Sequence, residues 1–273
     1  MLNLAGIQVE GLSIGGIETC LDLPLHKVAF DIGRAPDFAI ARDTILFTHA
    51  HMDHMGGVAW HCATRALRRM TPPRYVVGRE NAAAFRELFD VWRKLDRSTL
   101  PHELIVIAPG DEWALTPRRF VRPFRSIHRA PCQGYAIWSR TQKLAARYQD
   151  LPQSEIDAAR RSGQVITEPV DVCEVAFPGD TTIDVVEREP SVRSAKLLIL
   201  ECTFLDERVS VAETRDKGHV HLDEIAERAE LFENEALLLT HFSARYSNAE
   251  ILALLDRKLP AKLRQRVTPL LRG

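Results

Sequence analysis

The chain has 273 residues, 45% hydrophobic and 27% charged, with a formal net charge of −1; that is enough to bury a full core, and it gives no global attraction for a polyanion, so a nucleic-acid partner must meet a local basic patch. The longest apolar runs, such as Leu197 to Leu200, are strand-length and far short of the ~20 residues of a membrane span, which excludes a membrane protein. The start, Met1 to Glu10, lacks the basic cluster and long apolar core of a secretory signal, and five scattered cysteines (Cys20, Cys62, Cys132, Cys173, Cys202) without a Cys-x-x-Cys spacing suit a reducing compartment, so the cytoplasm is the expected location.

Short strands broken by glycine open the chain: Ile7 to Val9, Glu18 to Leu23 and Val28 to Asp31 predict the beginning of an antiparallel sheet. Ile45 to Thr48 is a compact apolar strand running into a histidine-rich turn, and Gly56-Gly57 opens a helix expected to reach about Arg69. Asn81 is the expected N-cap of a helix in which Phe85, Leu88, Phe89 and Trp92 share one face. Strand signals return at Leu104 to Ile107, Phe120 to Phe124, Tyr135 to Trp138, Val175 to Phe177 and Leu197 to Leu200. Their alternation with helical segments predicts layered sheets flanked by helices. The stretch from about 140 to 169 is polar, starts and ends without strand character, and carries a short helix near Ser154 to Arg161 closed by Gly163; it reads as an arm inserted into a single domain spanning 1–273. Late in the chain Leu222, Ile225, Ala226 and Ala229 form a helical stripe, Leu237 to Leu239 a buried strand, and Ser247-Asn248-Ala249-Glu250 a capping box for a last helix that Pro260 ends.

Chemistry concentrates at Thr48-His49-Ala50-His51-Met52-Asp53-His54-Met55-Gly56-Gly57. His49 and His51 alternate by two, so their rings can point the same way, and Asp53 and His54 follow on the tightening turn. Imidazoles and a carboxylate are the ligand set of zinc, with manganese or iron as alternatives. A solvated polar loop would not need three histidines and an aspartate within six positions directly after a buried strand. These ligands do not complete a two-metal site, and His128, Asp180 and His241, each just beyond a predicted strand, are the further candidates.

The run His-x-His-x-Asp-His, with Asp180 and His241 downstream, resembles the metallo-β-lactamase superfamily. The stretches His128 to Tyr135, Phe177-Pro178-Gly179-Asp180-Thr181-Thr182, Glu201-Cys202-Thr203-Phe204, Gly218-His219-Val220-His221 and Leu239 to Tyr246 narrow the resemblance to ribonuclease Z in its short, plant-type form, from Ile14-Gly15-Gly16 onward. The resemblance implies an α/β fold, the metallo-β-lactamase αβ/βα sandwich of two mixed β-sheets flanked by helices. It implies a tRNA 3′-processing endonuclease that cuts after the discriminator nucleotide of precursor tRNA and leaves a 3′-hydroxyl. It also implies two Zn2+ per subunit, one held by His49, His51 and His128 and the other by Asp53, His54 and His241, with Asp180 bridging, and a homodimer. Two cations roughly 3.5 to 4 Å apart can polarise a phosphoryl oxygen and make hydroxide available near neutral pH. Asp53 is given a second role in orienting the attacking water. His219 is the expected proton donor to the departing 3′-oxygen, with Glu201 on its other ring nitrogen; His221 is its rival, in a chain that reads His-Val-His where many family members have Ser or Thr.

For RNA contact, Arg65, Arg68 and Arg69 fall at i, i+3 and i+4 on the helix after Gly57 and form one expected basic face. Arg118, Arg119, Arg122, Arg125 and Arg129 lead into His128, and alternate strand residues among them share a face. Lys143, Arg147, Arg160 and Arg161 lie in the arm, the region where the family carries its tRNA-gripping exosite. Two family features are missing, the Gly-Pro signature of the long bacterial arm and the basic Pro-x-Lys-x-Arg-Asn loop. A small-molecule metallohydrolase acting on a phosphodiester, thioester or lactone is the alternative reading, because the same core serves several chemistries; a metal-bearing RNA binder without activity would require a broken ligand set.

Overall fold

The computed structural model describes residues 1–272. Its first sheet runs β1 (Leu2–Leu4), β2 (Ile7–Gly15), β3 (Glu18–Leu23), β4 (Val28–Phe30), β5 (Thr44–Leu46), β6 (Arg74–Val77) and β7 (Glu103–Val106) in that spatial order. The pairing is antiparallel from β1 to β4 and parallel from β4 to β7. The second sheet repeats that plan. β8 (Trp113–Thr116), β9 (Arg119–Arg125), β10 (Gln133–Leu144) and β11 (Thr167–Phe177) are antiparallel, and β12 (Leu197–Glu201), β13 (Ala236–Thr240) and β15 (Val267–Pro269) continue in parallel. Between them in sequence, β14 (Phe242–Ser243) crosses back to pair with β2, so the segment carrying His241 ties the two sheets together.

Four layers result. Val9, Leu21, Phe30, Leu46 and Val76 of the first sheet meet Val121, Tyr135, Ile137, Val175 and Leu238 of the second in one buried cluster. The period of two decides which side each residue serves: on β12, Leu197 and Ile199 face this inner core while Leu198 and Leu200 face the outer one. Burial on both faces explains why β12 and β13 read as continuous apolar runs, each fully buried side chain contributing about 1.5–3 kcal/mol. The first sheet is covered outside by α2 (Val58–Leu67) and α3 (Arg79–Asp96), which follow the single-turn α1 (Met52–Met55). The helix α4 (Gln153–Arg161) belongs to the arm. The second sheet is covered by α5 (Asp184–Arg188), α6 (Pro190–Ser194), α8 (Leu222–Glu227), α9 (Asn248–Lys258) and α10 (Ala261–Arg264), with α7 (Val211–Lys217) preceding α8. This is the two-sheet αβ/βα sandwich expected.

Several boundaries differ from the sequence reading. The arm's flanks are strands: β10 and β11 stay paired from Tyr135↔Phe177 out to Leu144↔Thr167. The ribbon stands free of the sandwich, so Thr141, Gln142 and Lys143 are all exposed and no apolar alternation marks it. At its tip, Ile156 of α4 packs with Ala145, Tyr148 and Ile166 in a separate small core. The helix expected to be capped by Asn81 starts at Arg79 with Gly78 as N-cap, and the Asn81 amide instead donates to the Pro131 carbonyl at 3.1 Å. The helix expected to reach Arg69 stops at Leu67; Arg68 is its C-cap and Arg69 has φ of 55°. The capping box Ser247–Glu250 forms as read.

Candidate metal centre

Strand ends build the site. β5 delivers Thr48, His49 and His51; α1, opened by His51 as N-cap, carries Asp53 and His54. His128 follows β9, Asp180 follows β11, Glu201 ends β12, and His241 stands between β13 and β14. Parallel strands running the same way bring these ends to one edge of the sandwich.

The side chains converge in two adjoining groups. In the first, Nδ1 of His51 lies 3.0 Å from Nε2 of His49 and 3.3 Å from Nε2 of His128, with Oδ2 of Asp180 3.8 and 4.0 Å from those two Nε2 atoms. In the second, Oδ2 of Asp53 is 3.6 Å from Nε2 of His54 and 3.5 Å from Nε2 of His241. The other Asp180 oxygen, Oδ1, is 3.3 and 3.4 Å from the same two nitrogens. Asp180 thus turns one oxygen to each group.

The ring nitrogens that face outward are already engaged. His54 Nδ1 meets Asp31 Oδ2 at 2.8 Å, His241 Nδ1 meets Thr203 Oγ1 at 2.9 Å, His49 Nδ1 meets Thr48 Oγ1 at 3.1 Å, and His128 Nδ1 donates to the Gly218 carbonyl at 2.9 Å. Asp31 and Gly218 take protons on Nδ1, which leaves the Nε2 lone pairs of His54 and His128 pointing inward. Nε2 of His54 and of His241 are buried with no hydrogen-bond partner. Orphaned inward lone pairs on several imidazoles around two carboxylates fit a divalent metal.

The same cluster keeps its carboxylates ionised. Burial opposes ionisation of Asp180, but His241, His54 and His49 hold its carboxyl well below the usual range. Burial likewise opposes ionisation of Asp53, yet the adjacent imidazoles of His241 and His54 keep it well below the ordinary aspartate value. His54 is pushed the other way: burial disfavours its charge, and Asp180 and Asp31 more than compensate. His49, desolvated and beside His54, stays neutral. The backbone contributes too, since Gly16 N–H donates to Asp53 Oδ2 at 3.0 Å, and both Asp31 and His241 adopt left-handed φ, 53° and 60°, a strained conformation typical of functional positions.

His219 stands at the rim between His128 and His241, with ring centroids 5.2 and 5.4 Å away. Its Nδ1 is 2.9 Å from Glu201 Oε1. Burial alone lowers its affinity for a proton, but Glu201 and Asp180 raise the value to about 9. The rival, His221, is buried at 1% exposure and serves as N-cap of α8, accepting from Asp223 N–H on Nδ1 with Nε2 against the Asp206 carbonyl. It therefore has no free face toward the centre.

The basic residues separate. Arg65 is corrected: it is 2% exposed and its guanidinium is consumed by the carbonyls of Ile40, Arg42 and Thr71, so it presents nothing to RNA. Arg122 is held between Glu112 and Asp171 at 2.9 and 2.8 Å and lies over Phe120 and Trp138, which neutralises the charge it was expected to offer. Arg68, Arg69, Lys143, Arg147, Arg160 and Arg161 are exposed. Asp31 and Thr203 join the site through hydrogen bonds to His54 and His241 that the spacing of the histidines does not reveal; the one signal for Asp31 is its place at the end of an apolar strand before Gly33.

Residues 31–242 match the family model of the beta-lactamase superfamily domain, and fold and cluster together define a metallohydrolase of that class. tRNase Z TRZ1 of Arabidopsis thaliana is 43% identical over 274 residues, covering 100% of this chain and 98% of that protein. The chain belongs to the tRNase Z, or ribonuclease Z, family of that superfamily, in its short form. Among solved structures, human tRNase Z, short form, aligns with a TM-score of 0.60 at 19% identity over 96% of this chain and 95% of its own. The metallo-beta-lactamase fold protein YhfI of Bacillus subtilis aligns with a TM-score of 0.64 at 16% identity over 98% and 97%. Both show the shared fold.

Proposed function

We propose that the chain removes the 3′ trailer of precursor tRNA by hydrolysing the phosphodiester after the discriminator, leaving a 3′-hydroxyl on the tRNA and the phosphate on the trailer. The observation that carries this reading is the Glu201-held His219 at the rim of the histidine and aspartate cluster, in a chain 43% identical along its whole length to a tRNase Z. His49, His51 and His128 would hold one zinc ion, Asp53, His54 and His241 a second, and Asp180 both. Bound there, the ions supply Lewis acidity at the phosphoryl oxygen and a water acidic enough to attack at neutral pH.

The remaining work falls to this chain's own groups. Asp53, its Oδ2 already fixed by Gly16 N–H, orients the attacking water by accepting a hydrogen bond from it. The water's oxygen bonds to phosphorus, the bond to O3′ breaks, and His219 delivers its proton to the departing oxygen. Glu201 fixes the ring, since Thr181 N–H and Thr203 Oγ1 hold both carboxylate oxygens at 2.8 and 2.6 Å. Residues 1–273 act as one domain, and the exposed Lys143, Arg147, Arg160 and Arg161 of the arm grip tRNA phosphates without reading sequence, with Arg68 and Arg69 as a secondary patch. A homodimer would let one subunit's arm serve its partner's site. Five unpaired thiols support a reducing compartment, the cytoplasm, and no helix among the described residues is long and apolar enough to cross a membrane.

The test is cleavage of a labelled precursor tRNA by purified protein with zinc or manganese, beside His219→Ala and the generic substrate bis-nitrophenyl phosphate. A single cut at the discriminator, greatly slowed in the variant, is expected. Hydrolysis of the small diester with the precursor left intact would overturn the tRNA reading.

A further inference from the structure

A cleft of about 590 Å³ adjoins the metal centre, bounded on one side by the first turn of α3 and on the other by the segment from Arg125 to Gln133. His128 lines its inner end, while Asp53, His219 and His241 do not line it. Arg79, Arg125 and Arg129 stand around it, all three exposed. Arg79 meets Asp111 only across 3.3 Å with 70% of its side chain in solvent, a pairing too weak to withhold it from a phosphate. Pro109, Ala130 and Pro131 add apolar wall against which a base can lie.

We propose that this cleft binds the single-stranded trailer immediately beyond the scissile bond, through its backbone phosphates. The inference rests on the reading of the site given above. Hydrolysis breaks the bond between phosphorus and the O3′ of the tRNA, so the strand that leaves with its oxygen protonated by His219 is the mature RNA, and the strand that keeps the phosphate is the trailer. A cleft that reaches His128 without touching His219 lies with the phosphate-keeping strand. Its volume falls within the ~300–1,000 Å³ of a small-ligand site, room for a short single strand and too little for the acceptor duplex. Arginines on opposite walls suit successive phosphates, and contacts to phosphates carry no base information, which suits trailers of any sequence.

The experiment compares wild type with Arg79→Ala, Arg125→Ala and the double variant. Arg129 is left intact because its Nε donates to the Asp216 carbonyl at 2.5 Å and so steadies the loop bearing His219. One arm measures anisotropy of a labelled single-stranded oligoribonucleotide with a 5′-phosphate, the chemistry of the released trailer; it needs no turnover and reads the cleft even if precursor tRNA is not the substrate. The double variant should bind about tenfold or more weakly, with the salt slope lowered by about one per arginine removed. The other arm measures kcat/KM on precursors whose trailers are a single nucleotide and about ten nucleotides long; the loss should fall on the long trailer and spare the short one. Unchanged oligoribonucleotide affinity, or equal loss for both trailer lengths, would overturn the proposal, the latter assigning these arginines to the acceptor stem.

Discussion

Nδ1 of His219 lies 2.9 Å from Oε1 of Glu201, and both Glu201 oxygens are pinned by threonines that also touch the metal cluster: Thr181 N–H follows Asp180, and Thr203 Oγ1 contacts His241 Nδ1. His219 and the histidines and aspartates proposed to hold metal are therefore parts of one hydrogen-bonded frame, so a substitution at either end is felt at the other.

That frame sets a pH dependence. Burial lowers the proton affinity of His219, and Glu201 with Asp180 raises it to about 9; as a donor it is active while protonated, so cleavage falls as pH rises through that value. Glu201→Gln removes the leading support and should shift the basic limb of the pH–rate profile toward the ordinary histidine value of about 6.5. His219→Ala should slow single-turnover cleavage roughly 10²–10⁴-fold. A Glu201→Gln profile that overlays the wild type's would refute this role for the pair.

Asp31 and Thr203 act at one remove, on His54 and His241. Asp31→Asn fits the left-handed backbone at that position, φ 53°, and Thr203→Val preserves volume, so both should fold. Each loosens the ring it orients, and zinc affinity measured by chelator competition should weaken about 10–100-fold. Unaltered affinity in both variants would show that the outer hydrogen bonds are incidental to metal binding.

The difference between Asp31 and the ligands it supports explains what could be read in the sequence. His49, His51, Asp53 and His54 are neighbours in the chain, so their convergence was visible as spacing. Asp31 reaches His54 across 23 positions and Thr203 reaches His241 across 38, and such partners emerge only when parallel strands bring their ends together. The sandwich was legible because β12 and β13 carry apolar residues on both faces. The β10–β11 ribbon was not, because solvent on both its faces erases the alternation that marks a strand.

Arg65 illustrates the opposite error, a helical spacing that describes a face correctly and its environment wrongly. Its guanidinium holds the chain near Ile40, Arg42 and Thr71, so Arg65→Ala should leave buried carbonyls unsatisfied and cost about 3 kcal/mol, seen as a lower melting temperature, with the salt slope of RNA binding unchanged. Arg68→Ala and Arg69→Ala should stay within about 0.5 kcal/mol of wild type in stability. A reduced salt slope in Arg65→Ala with unchanged melting would restore it to the RNA surface.

His61 supplies a stability test away from the metal centre. It is 0% exposed, with Tyr75 Oη on Nδ1 at 2.8 Å and the carbonyls of Ala39 and Arg42 on Nε2. Burial, with the charge of Arg65 behind it, lowers its pKa to about 4. Between that value and the ordinary one of about 6.5 the unfolded chain binds a proton that the folded chain refuses, so stability is full above the upper value and declines as pH falls through this window. The decline should reach on the order of 3 kcal/mol below the folded value. His61→Gln is less stable at neutral pH because the two-sided hydrogen bonding is broken, but it cannot suffer this loss. Urea midpoints should therefore show the gap between wild type and variant narrowing as pH falls from about 6.5 toward 4. Subtraction cancels the other histidines, which titrate in both proteins; a gap that stays constant would mean that some other group controls acid stability.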